Sequence, residues 1–174
     1  MLYFLPSNEY TITVLGTGAQ FIKASTLSSV LCDLGIKEKI IHTNLATQRY
    51  SVSDFLPENT AAFNLLTIHR AQNTNNSSRW DNIIEAAGEL DHPALWPVHP
   101  RNKSLLAKRN LPDNLITIPP VSYLQMLVLL SHADQVLTDS GGLQKEAYWL
   151  KRPCITLRNE TEWVETLHGN WNIL

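Results

Sequence analysis

From Phe63 to Leu157 the chain alternates short apolar runs with segments of helical period, and this alternation narrows the fold more than any other feature. Apolar runs at 63–68, 94–98, 115–118, 135–138 and 154–157 read as buried strands. Between them lies a helix at about 78–90, where Trp80, Ile83, Ile84 and Ala87 recur at three-to-four spacing and Ser77 or Ser78 is the expected N-cap. A shorter helix is expected at about 102–109. Ser122-x-x-Gln125 is a capping box that opens a nearly all-apolar, well-buried helix running through His132. A further helix occupies 141–150. Strands and helices alternating at this spacing require a parallel sheet covered on both faces. Right-handed crossovers then place every strand-to-helix loop on one edge.

The N-terminal part repeats the pattern once. Residues 11–15 read as a strand, Gly16-Thr17-Gly18 as a turn, 20–34 as a helix stopped by Gly35, and 39–42 as a second strand. This βαβ unit invites a dinucleotide reading, but the third glycine of that fingerprint is Phe21. Nor does an acidic residue close the second strand, where His42-Thr43-Asn44 stands. Neither NAD nor FAD is expected, and no other cofactor. The period lapses from Thr43 to Pro57-Glu58-Asn59, which reads as a linker, giving domains 1–58 and 59–174. With 44% hydrophobic and 17% charged residues the chain is globular, and a net charge of −2 draws it to neither nucleic acid nor an anionic membrane. No apolar stretch approaches the ~20 residues a bilayer requires. The start lacks a basic signal-peptide region, and Cys32 and Cys154 are isolated in apolar settings. The expected state is a cytoplasmic protein with two reduced thiols.

Ligands of open α/β sheets bind at the carboxyl ends of the strands. Thr67-Ile68-His69-Arg70, Val98-His99-Pro100-Arg101, Pro119-Pro120-Val121-Ser122, Asp139-Ser140-Gly141-Gly142 and Arg158-Asn159-Glu160-Thr161-Glu162 all fall there. The Asp-Ser-Gly-Gly turn feeds a helix, so its N–H groups and the helix dipole suit an anion, and the glycines allow close approach. Glu146, four residues after Gly142, projects from the same helical face and is suited to accept two sugar hydroxyls. Two His-plus-Arg pairs beside this turn suit a phosphorylated ligand, with Arg70 as a charged fork and His69 and His99 as donors or proton carriers. His42, His92, His132 and His168 have no such setting. No His or Cys pair has zinc-ligand spacing, so no metal is expected. Ser140 lacks the Gly-x-Ser-x-Gly elbow of a hydrolase.

Thr67–Asn73, Pro97-Val98-His99-Pro100, Pro120–Leu124, Thr138–Glu146 and Thr161-Glu162-Trp163 together resemble, in order and spacing, the C-terminal half of the non-hydrolysing UDP-N-acetylglucosamine 2-epimerases. Gly16–Lys23 resembles the N-terminal signature of that family. The resemblance implies a GT-B architecture of two Rossmann-like domains facing a UDP-sugar cleft. It also implies interconversion of UDP-N-acetylglucosamine and UDP-N-acetylmannosamine through elimination and re-addition of UDP. On that basis His69 is the catalytic residue, beside the diphosphate and sugar. Ser140, Gly141 and Gly142 hold phosphate, Glu146 the ribose, and Lys23 reaches in from the opposite domain. Val121 and Met126 fall at nucleotide-contact positions.

The sequence also departs from the family. Gly18-Ala19 stands where the family has Arg-Pro, and Thr43-Asn44-Leu45-Ala46 where it has Thr-Gly-Gln-His. The family's Gly-Asp and His-Val-Glu-Ala-Gly motifs, which carry its acid and base carboxylates, are absent, and the chain reaches Leu174 before the family's closing helices. The expectation is a shortened member, its N-terminal domain reduced to about one βαβ unit, that keeps the UDP-binding face but has little epimerase activity alone. A homodimer or a pairing with another epimerase chain would cover the apolar surface exposed by the shortening. The alternatives are a non-catalytic interaction module and a glycosyltransferase donor domain.

Overall fold

The computed structural model describes residues 11–15, 38–42, 50–58, 60–107 and 109–174. The chain separates into two compact units, Met1–Arg49 and Tyr50–Leu174. In the first, β1 (Thr11–Leu15) and β2 (Glu38–His42) pair in parallel from Thr11↔Glu38 to Leu15↔His42. The expected turn at 16–18, the helix at 20–34, Cys32 and Lys23 lie outside the described residues.

The second unit is a six-stranded, all-parallel sheet. Its strands are β3 (Asn64–Thr67), β4 (Ala94–Pro97), β5 (Leu115–Ile118), β6 (Gln135–Thr138), β7 (Cys154–Thr156) and β8 (Asn172–Ile173). Their order across the sheet is β5-β4-β3-β6-β7-β8. Every residue of β3 and β4 is buried, as strands covered on both faces require. Successive side chains point to opposite faces, so Leu65 packs with Leu95, Leu129, Leu130 and Val136, while Leu66 packs with Trp80, Trp96, Ile84 and Leu137. Trp80 and Trp96 meet as a tilted pair 5.4 Å apart.

The helices are α1 (Ala71–Thr74), α2 (Ser77–Gly88), α3 (Lys103–Leu106), α4 (Tyr123–His132) and α5 (Gly141–Trp149). The cap of α2 is Asn76, whose side chain accepts from the Arg79 N–H, one residue before the expected serines. Asn caps about as well as Ser because its side-chain carbonyl accepts the same bond, and here it stands at the extended residue before the first turn. The Ser122–Gln125 capping box forms at α4, with the Ser122 N–H donating to Gln125 Oε1 at 2.7 Å. Only Val128, Leu129 and Leu130 of α4 are fully buried; Tyr123 to Leu127 are half-buried. Residues 50–56 are not free linker: Val52, Phe55 and Leu56 pack on the core around Leu65.

Beyond β7 the chain forms a 3-10 segment, Val164–Asn170. It reverses at Gly169 (φ 70) and Asn170 (φ 60) and enters β8, which no periodicity announced. Among the described residues no helix is long and apolar enough to cross a membrane.

Candidate functional site

The strand order reverses between β3 and β6, where chain order runs outward on both sides, and these two strands end level, with Thr67 opposite Thr138. Their hydroxyls lie 2.5 Å apart. The level register brings the residues that leave the two strands together at the topological switch point, the place where open α/β sheets bind ligands.

Asp139 is the hub. Its carboxylate is fully buried and accepts from the backbone N–H of His69 (3.0 and 3.1 Å), the backbone N–H of Arg70 (2.9 Å) and Asn73 Nδ2 (3.0 Å). His69 Nδ1 lies 3.0 Å from Oδ1. Burial pushes this carboxyl up, but the His69 ring, the Arg70 N–H and Asn73 outweigh it and hold Asp139 below the ordinary carboxylate range. Asn73 also donates to the Leu157 carbonyl at 3.0 Å, which ties α1 to the loop after β7. Asn102 is likewise buried and donates to the Ile68 carbonyl at 2.5 Å. These buried amides and Asp139 do most to set the rim, and little in the local sequence pattern points to them. The only signal was an Asp closing an apolar strand, which has no meaning until the neighbouring strand is known.

Around this hub stand the expected residues. His69 and His99 have ring centroids 6.1 Å apart. His99 Nδ1 accepts from the Arg101 N–H, and the Arg101 guanidinium donates to the His69 carbonyl at 3.2 Å. Arg70 reaches within 3.8 Å of Glu162, which is also held by Arg158 at 2.6 Å. Its own backbone N–H, then Arg158, keep the exposed Glu162 carboxyl below the usual range. Ser140 caps α5 by accepting from the Leu143 N–H. Gly141 is buried, and a Cβ there would meet Glu162 Oε1 at 2.7 Å, a contact that the exposed end of the Glu162 side chain can relieve by shifting. Gly142 beside it is half-buried.

Glu146, one turn into α5, is buried, contrary to a helix-surface position. Burial pushes its carboxyl up, partly offset by the Tyr123 hydroxyl beside it. Burial and then the Glu146 charge push the Tyr123 phenol up in turn. Tyr123 Oη is buried without a hydrogen-bond partner of ordinary geometry, as are Asn73 Oδ1, Asn102 Oδ1 and Trp163 Nε1. Val121 and Met126 sit at the start of α4, half-buried and packed on the core around Leu65, so Met126 offers packing there. Lys23 lies outside the described residues. His92 and His132 lie away from the rim: His92 pairs with Asp134 at 3.9 Å, and the His132 ring bonds the Val128 carbonyl within α4.

The rim therefore offers Arg70 and Arg101 to an anion, a histidine backed by a buried carboxylate, and a desolvated carboxylate for hydroxyl groups. Among the described residues no group of three or more His, Cys, Asp or Glu side chains is gathered as a metal site.

Comparison with known proteins gives one consistent result. A family profile described as UDP-N-acetylglucosamine 2-epimerase matches residues 4–174. A UDP-N-acetylglucosamine 2-epimerase homolog of Methanococcus maripaludis is 47% identical over 133 residues, covering 73% of this chain and 37% of the relative. The UDP-N-acetylglucosamine 2-epimerase of Methanocaldococcus jannaschii is 36% identical over 182 residues, covering 98% of this chain and 49% of the relative. The crystal structure of the Methanocaldococcus jannaschii enzyme in complex with UDP-GlcNAc and UDP aligns with a TM-score of 0.61 and 35% identity, over 86% of this chain and 48% of that one. The fold is thus the α/β, Rossmann-like parallel sheet of the GT-B type. The chain spans half or less of the length of these relatives. The 182-residue match runs without a domain-sized gap, so the relative's remaining length lies outside the matched stretch.

Proposed function

Because the chain belongs to the UDP-N-acetylglucosamine 2-epimerase family, we propose that its rim at the switch point binds the uridine diphosphate portion of a UDP-N-acetylhexosamine. In this reading residues 59–174 form the nucleotide-sugar domain and 1–58 a truncated N-terminal Rossmann-like remnant. Ser140, Gly141, Gly142 and Arg70 face the diphosphate, with His99 at its flank; Glu146 accepts the ribose hydroxyls, and Val121 and Met126 line the nucleotide. The observation that carries the reading is Glu146, a carboxylate buried one turn inside a helix whose first residue is a glycine at a capped N-terminus. Burying a carboxylate without a strong partner is costly, and a diol would supply the missing donors.

The reaction of this reading interconverts UDP-N-acetylglucosamine and UDP-N-acetylmannosamine. The sugar loses its C2 proton, the C1–oxygen bond breaks, and UDP leaves with the bonding pair. Re-addition of UDP at C1 returns a proton to the opposite face of C2. His69 is the proton-carrying group at this rim. Moving a carbon-bound proton needs both a placed acid and a placed base. The rim carboxylates are otherwise engaged: Asp139 by four donors, and Glu162 by Arg158 and Arg70. The chain alone therefore binds UDP-sugar with little turnover, and a second chain, its own copy or another epimerase, supplies the remaining groups. A second reading, a non-catalytic UDP-sugar-binding module, is favoured by the same engagement of Asp139 and Glu162.

A thermal-shift titration with UDP tests the binding. Saturation to a hundred times the dissociation constant stabilises by about 2.7 kcal/mol, and Glu146→Ala is expected to need far more UDP for the same shift. No shift at millimolar UDP overturns the reading. An NMR assay that shows rapid formation of UDP-N-acetylmannosamine by the purified chain overturns the claim of low turnover. Light scattering with and without UDP reports the pairing.

A further inference from the structure

A carboxylate that accepts from four donors can give none of them a proton. Oδ1 of Asp139 faces the His69 backbone N–H and His69 Nδ1, both at 3.0 Å. Oδ2 takes the Arg70 N–H at 2.9 Å and Asn73 Nδ2 at 3.0 Å. The backbone N–H groups and the amide are obligatory donors, and with the His69 ring they hold the carboxyl below its ordinary range against burial, which favours the ionised, acceptor-only form. His69 Nδ1 must then carry hydrogen whether the ring is neutral or charged, and the proton inventory of the ring changes at Nε2 alone. Nδ1 is the inward atom, against a fully buried group, while the His69 side chain is 40% exposed. The His99 ring stands 6.1 Å away, centroid to centroid, and the Arg101 guanidinium donates to the His69 carbonyl.

We propose that Asp139 is a positioning residue that fixes His69 as the Nδ1–H tautomer and leaves Nε2 as the one atom of the ring that exchanges a proton with the ligand. The same carboxylate holds the backbone of His69 and Arg70, so ring orientation and guanidinium origin are set by one group. The low-lying Asp139 carboxyl supports this, because it stays ionised across the range in which imidazole titrates. The proposal rests on the reading that the UDP-sugar binds at this rim.

The test uses the full chain labelled with 15N-histidine, with His69 assigned by its loss in His69→Gln. Long-range proton–nitrogen correlation at a pH where the ring is neutral is expected to show a protonated Nδ1 and a bare, pyridine-type Nε2. UDP is expected to move the Nε2 resonance and leave Nδ1 nearly in place. In Asp139→Asn an amide hydrogen can face Nδ1, and the population is expected to shift to the Nε2–H tautomer. A merely structural role for Asp139 does not move that ratio. A wild-type ring protonated at Nε2 overturns the proposal outright, and does so even if Asp139→Asn fails to fold. An unchanged tautomer in a folded Asp139→Asn protein overturns it as well. If UDP moves neither nitrogen, the ligand reading fails while the tautomer assignment stands.

Discussion

Gln144→Ala is the perturbation that best separates the rim from the sheet beneath it. Gln144 is fully buried in α5, and its Nε2 donates to the hydroxyls of Thr161 and Thr166, both at 2.8 Å. These residues bracket the segment that carries Glu162 and Trp163. Truncation removes three hydrogen bonds, since the half-exposed Thr161 hydroxyl also donates to Gln144 Oε1 at 3.0 Å, but each threonine hydroxyl keeps at least one partner. Thr161 still accepts from the Trp163 N–H, and Thr166 still donates to the Trp163 carbonyl and accepts from Asn172. The bonds therefore cost about 1 kcal/mol each and no orphan penalty is added. The vacated volume adds about 1–2 kcal/mol, below the usual cost of a large-to-alanine change because the loop can settle inward. The total of about 4–5 kcal/mol is less than the roughly 6–19 kcal/mol expected of a unit of about 125 residues. The protein should stay folded while the loop loosens. Urea unfolding of the full chain, followed by tryptophan fluorescence, should show a midpoint lowered by about 1–5 M. Hydrogen exchange should quicken at Trp163 and Thr166 more than in β3 or β4. Gln144→Glu keeps the volume but removes both donors and buries a charge, so it should cost at least as much. A loss under about 1 kcal/mol in Gln144→Ala, or a Gln144→Glu protein as stable as wild type, refutes the claim that these bonds hold the loop.

The sheet was legible because parallel strands buried on both faces need continuous apolar runs, and Leu65-Leu66, Leu95-Trp96 and Val136-Leu137 are such runs. The capping box at Ser122 was legible because both its partners lie within one turn. What escaped depends on contacts distant in sequence. Asp139 becomes a hub only once β3 and β6 end level, a matter of register that no local pattern encodes. The spacing of Glu146 put it one turn into α5, but its burial comes from neighbours such as Tyr123 of α4, which only the packed structure supplies. β8 is two residues long and forms because Gly169 and Asn170 adopt positive φ and bring Asn172 beside Cys154. Once there, Asn172 accepts from the Thr156 hydroxyl at 2.8 Å, a polar pairing that an apolar-run search passes over.

Two further predictions concern the groups around the rim. Ser122→Ala removes the α4 cap and should cost about 1 kcal/mol, read by denaturant midpoint, with UDP binding little changed; a neutral result argues that α4 is held by packing alone. Glu146→Gln should stabilise the unliganded protein at neutral pH while weakening UDP. Burial raises the folded-state pKa of Glu146 above that of an ordinary glutamate, so the folded protein holds that proton more tightly than the unfolded chain. The stability so conferred is full below about 4.5 and is lost as pH rises through the folded value. The wild-type protein is thus penalised above that window and the glutamine variant is not. Denaturation series at several pH values should give two curves that coincide in mild acid and diverge toward neutrality, with Glu146→Gln the more stable. Saturating UDP should close the gap, because the ribose donors satisfy the carboxylate in the wild type and gain little from the amide. Parallel curves across the whole range would mean that Glu146 is hydrated in the free protein, and would remove the strongest reason for assigning it to a sugar.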